Sequence, residues 1–374
     1  MTYVYYILAF SLGIYFLTLC VFIIGLFTQD QKKTTYKNST NASVIICVKD
    51  GEESIFNIIS DLKKQVYKYN IEFIIVDDLS IDSTKEIILN SIKDDSRFKY
   101  ISSESGDRQL SHKKRAIDAG IKNSKYDYLL FTDVDCRLNN RWIESMMKNY
   151  QYDTDYIVGC SIISNSNTAS SFFQQLDYYM LMISSLSSCN LGFPLACTGQ
   201  NQSYKKSLYH SINGFSKIKK LLQGDDSIFL QILKSHNSLK VTFSLDTNSY
   251  VKSKTHYKWK DLLLQRIRWS GDARLMWKYN KTFYIIILST FLSNLFFIII
   301  PIIFFEYINF ILLILFLKFL LEFVLYFIGT KKINQKLNLI QFCYWFILQI
   351  PYVVLMGILS FFTPLINWRG RSAN

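Results

Sequence analysis

The chain has 374 residues, 50% of them hydrophobic and unevenly distributed, and a net charge of +13, so it is not a single soluble unit. There is room for one catalytic domain of about 200 to 250 residues plus membrane segments. The positive charge brings no RNA-binding or zinc-finger signature with it, which argues against nucleic acid; lysines attracting anionic membrane lipids account for it more simply.

A spanning helix needs about 20 apolar residues at about 1.5 Å rise each. The first block of that length, Tyr3 to Phe27, reads as a signal-anchor, since no positive charge precedes it and no small-residue cleavage site follows. Lys32, Lys33 and Lys37 come next and, by the positive-inside rule, put the segment from Thr28 to Thr282 in the cytosol of a multi-pass protein of the cell (inner) membrane. The seven cysteines (Cys20, Cys47, Cys136, Cys160, Cys189, Cys197, Cys343) show no CxxC spacing, as expected of reduced, buried thiols.

Short β-branched runs then alternate with helical stretches, the pattern of an α/β sheet covered by helices. Strands are expected at Ser43 to Val48, Glu72 to Val76, Phe98 to Ile101 and Tyr126 to Thr132, with helices at Ser54 to Tyr67 and Ser111 to Lys122. Ligands of such sheets collect at the carboxyl ends of the strands. Acidic residues stand at two of those ends, Asp77 and Asp78 after the second strand and Asp133 and Asp135 after the fourth. Further on, Ser171 to Leu191 is an aromatic-rich helix, Asp226 to Lys234 a short one, and His256 to Tyr279 a basic amphipathic stretch.

Three more apolar blocks follow, Phe283 to Phe305, Tyr307 to Ile328 and Leu339 to Phe362. Lys331, Lys332 and Lys336 place the loop before the last block in the cytosol, so a full final span would leave Arg369 and Arg371 outside. Pro351, with Gln341 and Gln349 nearby, leaves open a broken or re-entrant pair of half-helices. The expected division is an anchor over 1–28, an α/β catalytic domain over 29–255, an interface helix over 256–282, and a membrane region of two or three segments over 283–374.

Four motifs carry candidate chemistry. Asp133-Val134-Asp135 offers hard oxygen ligands suited to Mn²⁺ or Mg²⁺ on a diphosphate, though Asp-x-Asp also occurs in ordinary loops. Asp77 to Thr84 (DDLSIDST) is an acidic turn into a helix near Ser83; capping explains Asp82 or Ser83 but not two consecutive acids, one of which can accept from the N3–H of a uracil ring. In Gly224-Asp225-Asp226-Ser227 an acidic pair opens a helix, which suits either the helix dipole or a general base. In Gln265-Arg266-Ile267-Arg268-Trp269, a helix would put Gln265, Arg268 and Trp269 on one face, as a diphosphate grip and sugar platform or as a juxtamembrane anchor.

In order, these motifs resemble the membrane-bound branch of glycosyltransferase family 2, which includes cellulose, chitin and hyaluronan synthases and ceramide glucosyltransferases. Gln265 to Trp269 matches its QxxRW signature. Lys113 to Ile121 (KKRAIDAGI) is similar to its KxxALNxGI, and Thr198 to Ser207 (TGQNQSYKKS) to its GxNxAYRK. The resemblance spans about residues 42 to 280 and implies a GT-A fold with a mixed sheet, an N-terminal and several C-terminal transmembrane helices, and an inverting, metal-dependent hexosyltransferase. It also implies roles: Asp78, Lys113, Asp133, Asn201 and Arg268 in nucleotide-sugar binding, Asp135 on Mn²⁺ or Mg²⁺, Asp226 as base, and Trp269 with Gln265 at the acceptor. The donor is expected to be a UDP-sugar and the acceptor a lipid-linked or polysaccharide hydroxyl at the cytosolic face.

The chain departs from the family pattern in four places. Cys47 to Glu53 (CVKDGEE) replaces the usual Pro-x-x-Asn-Glu, and Leu79, Ser83 and His112 stand where glycine is common. The tail Trp368-Arg369-Gly370-Arg371 resembles a family tail, and three or four spans are few for a polymer channel. A catalytically silent membrane subunit scaffolding a glycan-synthesis complex is the alternative from another class, although it would need none of Asp78, Asp135, Asp226, Arg268 and Trp269. Nucleotidyl transfer on a similar sheet would leave the acidic pair and QxxRW without roles.

Overall fold

A computed structural model describes residues 2–28, 40–152, 154–164, 167–236 and 238–365. Lys32, Lys33, Lys37 and the tail from Trp368 to Arg371 lie outside the described residues. The chain runs α1 (Thr2–Phe27), β1 (Ala42–Val48), α2 (Glu52–Lys63), β2 (Ile71–Asp77), α3 (Thr84–Ile92), β3 (Phe98–Ser102), α4 (His112–Lys122), β4 (Tyr128–Phe131), β5 (Arg137–Leu138), α5 (Trp142–Lys148), β6 (Tyr156–Gly159) and β7 (Ser161–Ile163). It continues through α6 (Ala169–Asn190), β8 (Gln202–Lys205), α7 (Lys206–Ser211), α8 (Ser227–His236), β9 (Val241–Ser244), β10 (Val251–Ser253), α9 (Trp259–Tyr279), α10 (Lys281–Ile303), α11 (Ile308–Lys332) and α12 (Leu339–Leu359). These elements form two compact units: β1 to β7 with β8 to β10, and α1 with α6 and α9 to α12.

The first unit is built on a seven-stranded mixed sheet of order β3-β2-β1-β4-β8-β6-β9. β1 and β2 are almost unbroken apolar runs, as strands buried on both faces require. They pair in parallel with Ala42 opposite Ile71, and β4 lies parallel on the other side of β1. β8 reverses the direction, pairing antiparallel with both β4 and β6. A second sheet has the order β5-β10-β7.

α2 presents Ile55, Ile58, Ile59 and Leu62 at helical spacing to the core, where they join Val44, Ile46, Phe73, Ile75 and Trp142. α4 lies against β1 at Gly120: a Cβ there would stand 2.5 Å from Ile45 Cγ2, so the close approach of helix to strand needs glycine.

In the second unit, four stretches are long and apolar enough to cross a membrane: Ala9–Phe27, Lys281–Ile303, Phe305–Lys332 and Leu339–Phe362. The last corrects the broken-helix alternative, since α12 runs continuously through Pro351. A proline removes one backbone donor and can bend a helix, but neighbouring helices in a bundle support it on both sides.

α6 was expected inside the 29–255 domain and instead groups with the apolar helices. Its Ser187 hydroxyl donates to Phe22 O at 2.7 Å and its Asn190 amide to Gly25 O at 3.0 Å, both on α1. Gln341 of α12 donates to Phe172 O at 2.7 Å. Thus one of the glutamines that hinted at a broken segment ties α12 to α6. α11 carries a fully buried ion pair one turn apart, Lys318 to Glu322 at 2.7 Å, and Tyr15 of α1 also donates to Glu322.

Candidate active site

The carboxyl ends of β1, β2 and β4 and the starts of α4 and α8 carry most of the expected residues. Alternation along β2 separates the two consecutive acids. The Asp77 carboxylate is used internally, accepting from the Ser80 amide at 3.0 Å and the Tyr100 hydroxyl at 2.9 Å. Asp78 is buried, and its amide donates to Val48 O at 2.8 Å. Lys49 donates to the carbonyls of Asp78 and Leu79 at 3.3 and 3.0 Å.

The departures from the family motif interlock here. The Asp50 amide donates to Ser80 Oγ (2.9 Å) and the Ile81 amide returns a bond to Asp50 Oδ1 (2.9 Å). The Gly51 amide donates to Thr84 Oγ1 (2.8 Å), Glu52 N to Asp82 Oδ2 (3.1 Å), and Ser83 N to Glu52 Oε2 (3.0 Å). These reciprocal bonds hold two loops in conformations that L-residues resist, with φ of 47° at Asp50 and 58° at Leu79; His112, at the start of α4, has φ of 57°. Glycine adopts such angles freely, so Leu79 and His112 occupy family glycine positions at a strain of about 1–3 kcal/mol each.

Asp133, Val134 and Asp135 form a turn directly after β4, closed by the Cys136 amide donating to Asp133 O at 3.2 Å. Lys113, in the first turn of α4, joins this turn to the acidic pair before α8. Its ammonium lies 2.8 Å from Asp133 Oδ1 and 3.3 Å from Asp225 Oδ2. Burial works against its charge, but the two carboxylates outweigh that and raise its pKa well above the ordinary value. The adjacent Lys114 is buried and donates to the carbonyls of Leu221 and Gln223, holding the backbone that leads to the pair.

The two acids of the pair are driven apart. For Asp225 burial pushes upward, yet Lys113 and Lys114 hold its carboxyl below the usual range. For Asp226 burial and then the Asp225 charge raise the pKa to about 6, against amide bonds from Ser227 and Gly199. The Gly199–Asp226 bond is 3.2 Å, and the Ser227 hydroxyl donates to Cys197 O at 2.9 Å, fixing the helix start against the 197–199 loop. Neighbouring carboxylates with separated pKa values are the arrangement that assigns acid and base roles. Cys47 stands in the same field, and burial pushes its thiol up, so it stays protonated.

Asn201 does not fit the donor-binding role expected of it. It is fully buried, and its side chain is spent within the fold: Trp142 Nε1 donates to Oδ1 at 3.1 Å, while Nδ2 donates to Cys160 O and Ser249 O, each at 2.8 Å. Gly159 packs on this amide so closely that a Cβ would stand 2.2 Å from Asn201 Cγ. Its polarity serves a buried crosslink, which sequence spacing could not separate from ligand binding.

Asp133 and Asp135 suit a divalent ion through their hard oxygens and partial exposure. Among the described residues no group of three or more His, Cys, Asp or Glu side chains is gathered that could hold a metal.

Gln265, Arg268 and Trp269 lie on α9, in the other unit, in the helix their spacing anticipated. The residue that sequence reasoning left without a role is Arg266. Only 3% exposed, its guanidinium stacks 4.4 Å from the Trp269 ring centre and pairs with Asp177 of α6 at 2.9 Å. The available signal was Asp177 itself, the one acid in an aromatic-rich helix.

Residues 43–213 match the model of Glycosyl transferase family 2. The mixed sheet, with its crossover from parallel strands to the reversed β8, is the GT-A fold. The chain is similar to a mannosyltransferase from Pyrobaculum calidifontis solved with GDP-Man and Mn²⁺: TM-score 0.61, 12% identity, 96% of each chain covered. A looser likeness, TM-score 0.45 at 13% identity over 64% of this chain and 80% of the other, is to Mycobacterium tuberculosis glucosyl-3-phosphoglycerate synthase with Mn²⁺, UDP and glucosyl-3-phosphoglycerate. By sequence it is 28% identical over 140 residues to glycosyltransferase GlyA of Streptococcus pneumoniae, an alignment covering 37% of this chain and 19% of that protein.

Proposed function

We propose that the protein transfers a sugar, with inversion, from a nucleoside diphosphate donor, a UDP-sugar first among candidates, to a hydroxyl of a lipid-linked or polysaccharide acceptor. The observation that carries this reading is the Asp133–Lys113–Asp225 chain, at 2.8 and 3.3 Å, ending beside an Asp226 whose pKa is raised to about 6. A carboxylate so poised can take the acceptor's hydroxyl proton. The oxygen then forms its bond to the anomeric carbon as the bond to the diphosphate breaks from the opposite side, and the diphosphate leaves with that electron pair.

In this reading Asp78 accepts from the base, Asp133 contacts the nucleotide sugar, and Lys113 turns from the carboxylates toward the diphosphate. Arg268 takes part of the diphosphate charge, and Trp269 with Gln265 receives the acceptor. Asp135 would hold Mn²⁺ or Mg²⁺; when bound, the ion neutralises charge developing on the leaving group. The four apolar helices and the lysines around them favour a cell (inner) membrane protein, its α/β unit cytosolic and its lysines on anionic lipid.

The test supplies purified protein in lipid vesicles with Mn²⁺ or Mg²⁺, a panel of UDP- and GDP-sugars, and polyprenyl phosphate and glycolipid acceptors. Acceptor-dependent release of nucleoside diphosphate is expected. Its absence across the panel, together with a lack of metal-dependent nucleotide binding, would leave the silent-subunit reading in its place.

A further inference from the structure

We propose that Arg266, anchored by Asp177, is a positioning residue that fixes the orientation of Trp269 and decides which face of its indole stays open. This rests on the reading of Trp269 as acceptor platform. α9 sets positions 266 and 269 at i and i+3, on neighbouring parts of one face. The guanidinium centre lies 4.4 Å from the Trp269 ring centre and 5.7 Å from that of Tyr178, within the range of cation–π attraction. Tyr178 and Trp269 approach at 6.2 Å with their planes tilted by 49°. The guanidinium therefore sits against two rings, with the Asp177 carboxylate 2.9 Å from Nη2.

Arg266 is 3% exposed, and its Nε, Nη1 and Nη2 have no hydrogen-bond partner among the described residues, so its tie to Asp177 is an ion pair by distance. Hydrogen bonding alone thus does not account for its position; one carboxylate and two ring faces hold it. Take away the carboxylate and a buried charge is left uncompensated, which strongly disfavours the arrangement. Lysine would be a poor substitute, because only a planar guanidinium stacks on one ring while pairing edge-on with an acid. Trp269 itself is half-buried. With one face covered by Arg266, a sugar that stacks on the indole has only the other, and it meets a ring that is already oriented.

The experiment replaces all six tryptophans with 5-fluorotryptophan in the full chain in detergent and reads ¹⁹F spectra of ligand-free protein. Trp269→Phe assigns the relevant line. Arg266→Met and Asp177→Asn should shift and broaden the Trp269 resonance while Trp142 and Trp277 stay in place, and Asp177→Glu should restore most of the parent position. Trp345, which lies beside Asp177, is expected to respond to the Asp177 variants alone. An unmoved Trp269 line in both variants would overturn the proposal. So would a change spread over all six lines, since the pair would then hold the fold rather than the ring. The acceptor reading fails separately, if Trp269→Ala leaves acceptor-dependent transfer intact.

Discussion

Lys113 Nζ lies 3.3 Å from the Asp225 carboxylate, so the first turn of α4 is tied to the acidic pair before α8. The same ammonium is 2.8 Å from Asp133, which makes it the junction of the two acidic motifs. Lys113→Met is expected to raise the donor KM by about tenfold or more, the scale of losing one charge-assisted contact to a diphosphate. It should also lift the Asp226 pKa, because Lys113 now pulls it down. A donor KM and pH profile unchanged from the parent would place the phosphate contact elsewhere.

The activity should follow the protonation of Asp226. Its carboxyl is raised to about 6 and acts as a base only when ionised, so kcat/KM should climb through about pH 6 and level off above. The linked stability effect has the opposite sense: with a folded pKa above the unfolded value, ionisation penalises the folded state, and the penalty starts to shrink as pH falls below about 6 and is gone below the ordinary carboxyl value of about 3.9. Initial rates between pH 5 and 8 at saturating metal would check the first statement. A flat profile would contradict it.

Asn201 makes a different prediction from the one its motif implies. Asn201→Ala removes the partner of the Trp142 indole and the Asn201 donor to Ser249 O, and leaves Cys160 O with the Val251 amide, at about 1–3 kcal/mol for each group left unsatisfied. Thermal or denaturant unfolding should register that loss, while donor affinity of the remaining folded protein stays near that of the parent. A lowered affinity with unchanged stability would restore the donor-binding role.

The Lys318–Glu322 pair sits in a stretch apolar enough to span a membrane, and Gln349 adds a donor 3.4 Å from Glu322 Oε2. Removing one partner strands a buried charge, so Lys318→Met or Glu322→Gln should each cost about 3–5 kcal/mol. The double variant should recover most of it. Unfolding in mild detergent measures all three, and additive losses would show that the two groups do not act as a pair.

Most of the α/β unit could be read from the chain because its cause is local. The apolar runs of β1 and β2 and the periodic isoleucines of α2 fix element type, and acids at strand ends mark the site. What could not be read depends on partners distant in sequence. α6 looks like any aromatic amphipathic helix, and nothing in its composition says that Ser187 and Asn190 will meet α1. Asn201 and Asp77 carry the polarity of ligand-binding groups and spend it on the fold. Pro351 signalled a break that the surrounding bundle absorbs. Arg266 was overshadowed by Arg268, because a signature names the residues a family shares and not the neighbour that packs against them.

The most direct test of the account is Asp226→Asn. The amide keeps the size of the carboxylate but cannot take a proton, so donor affinity should persist while kcat falls by about 100-fold or more, within the range for loss of a general base. Transfer at the parent rate by Asp226→Asn would contradict the account, because the base would then lie elsewhere.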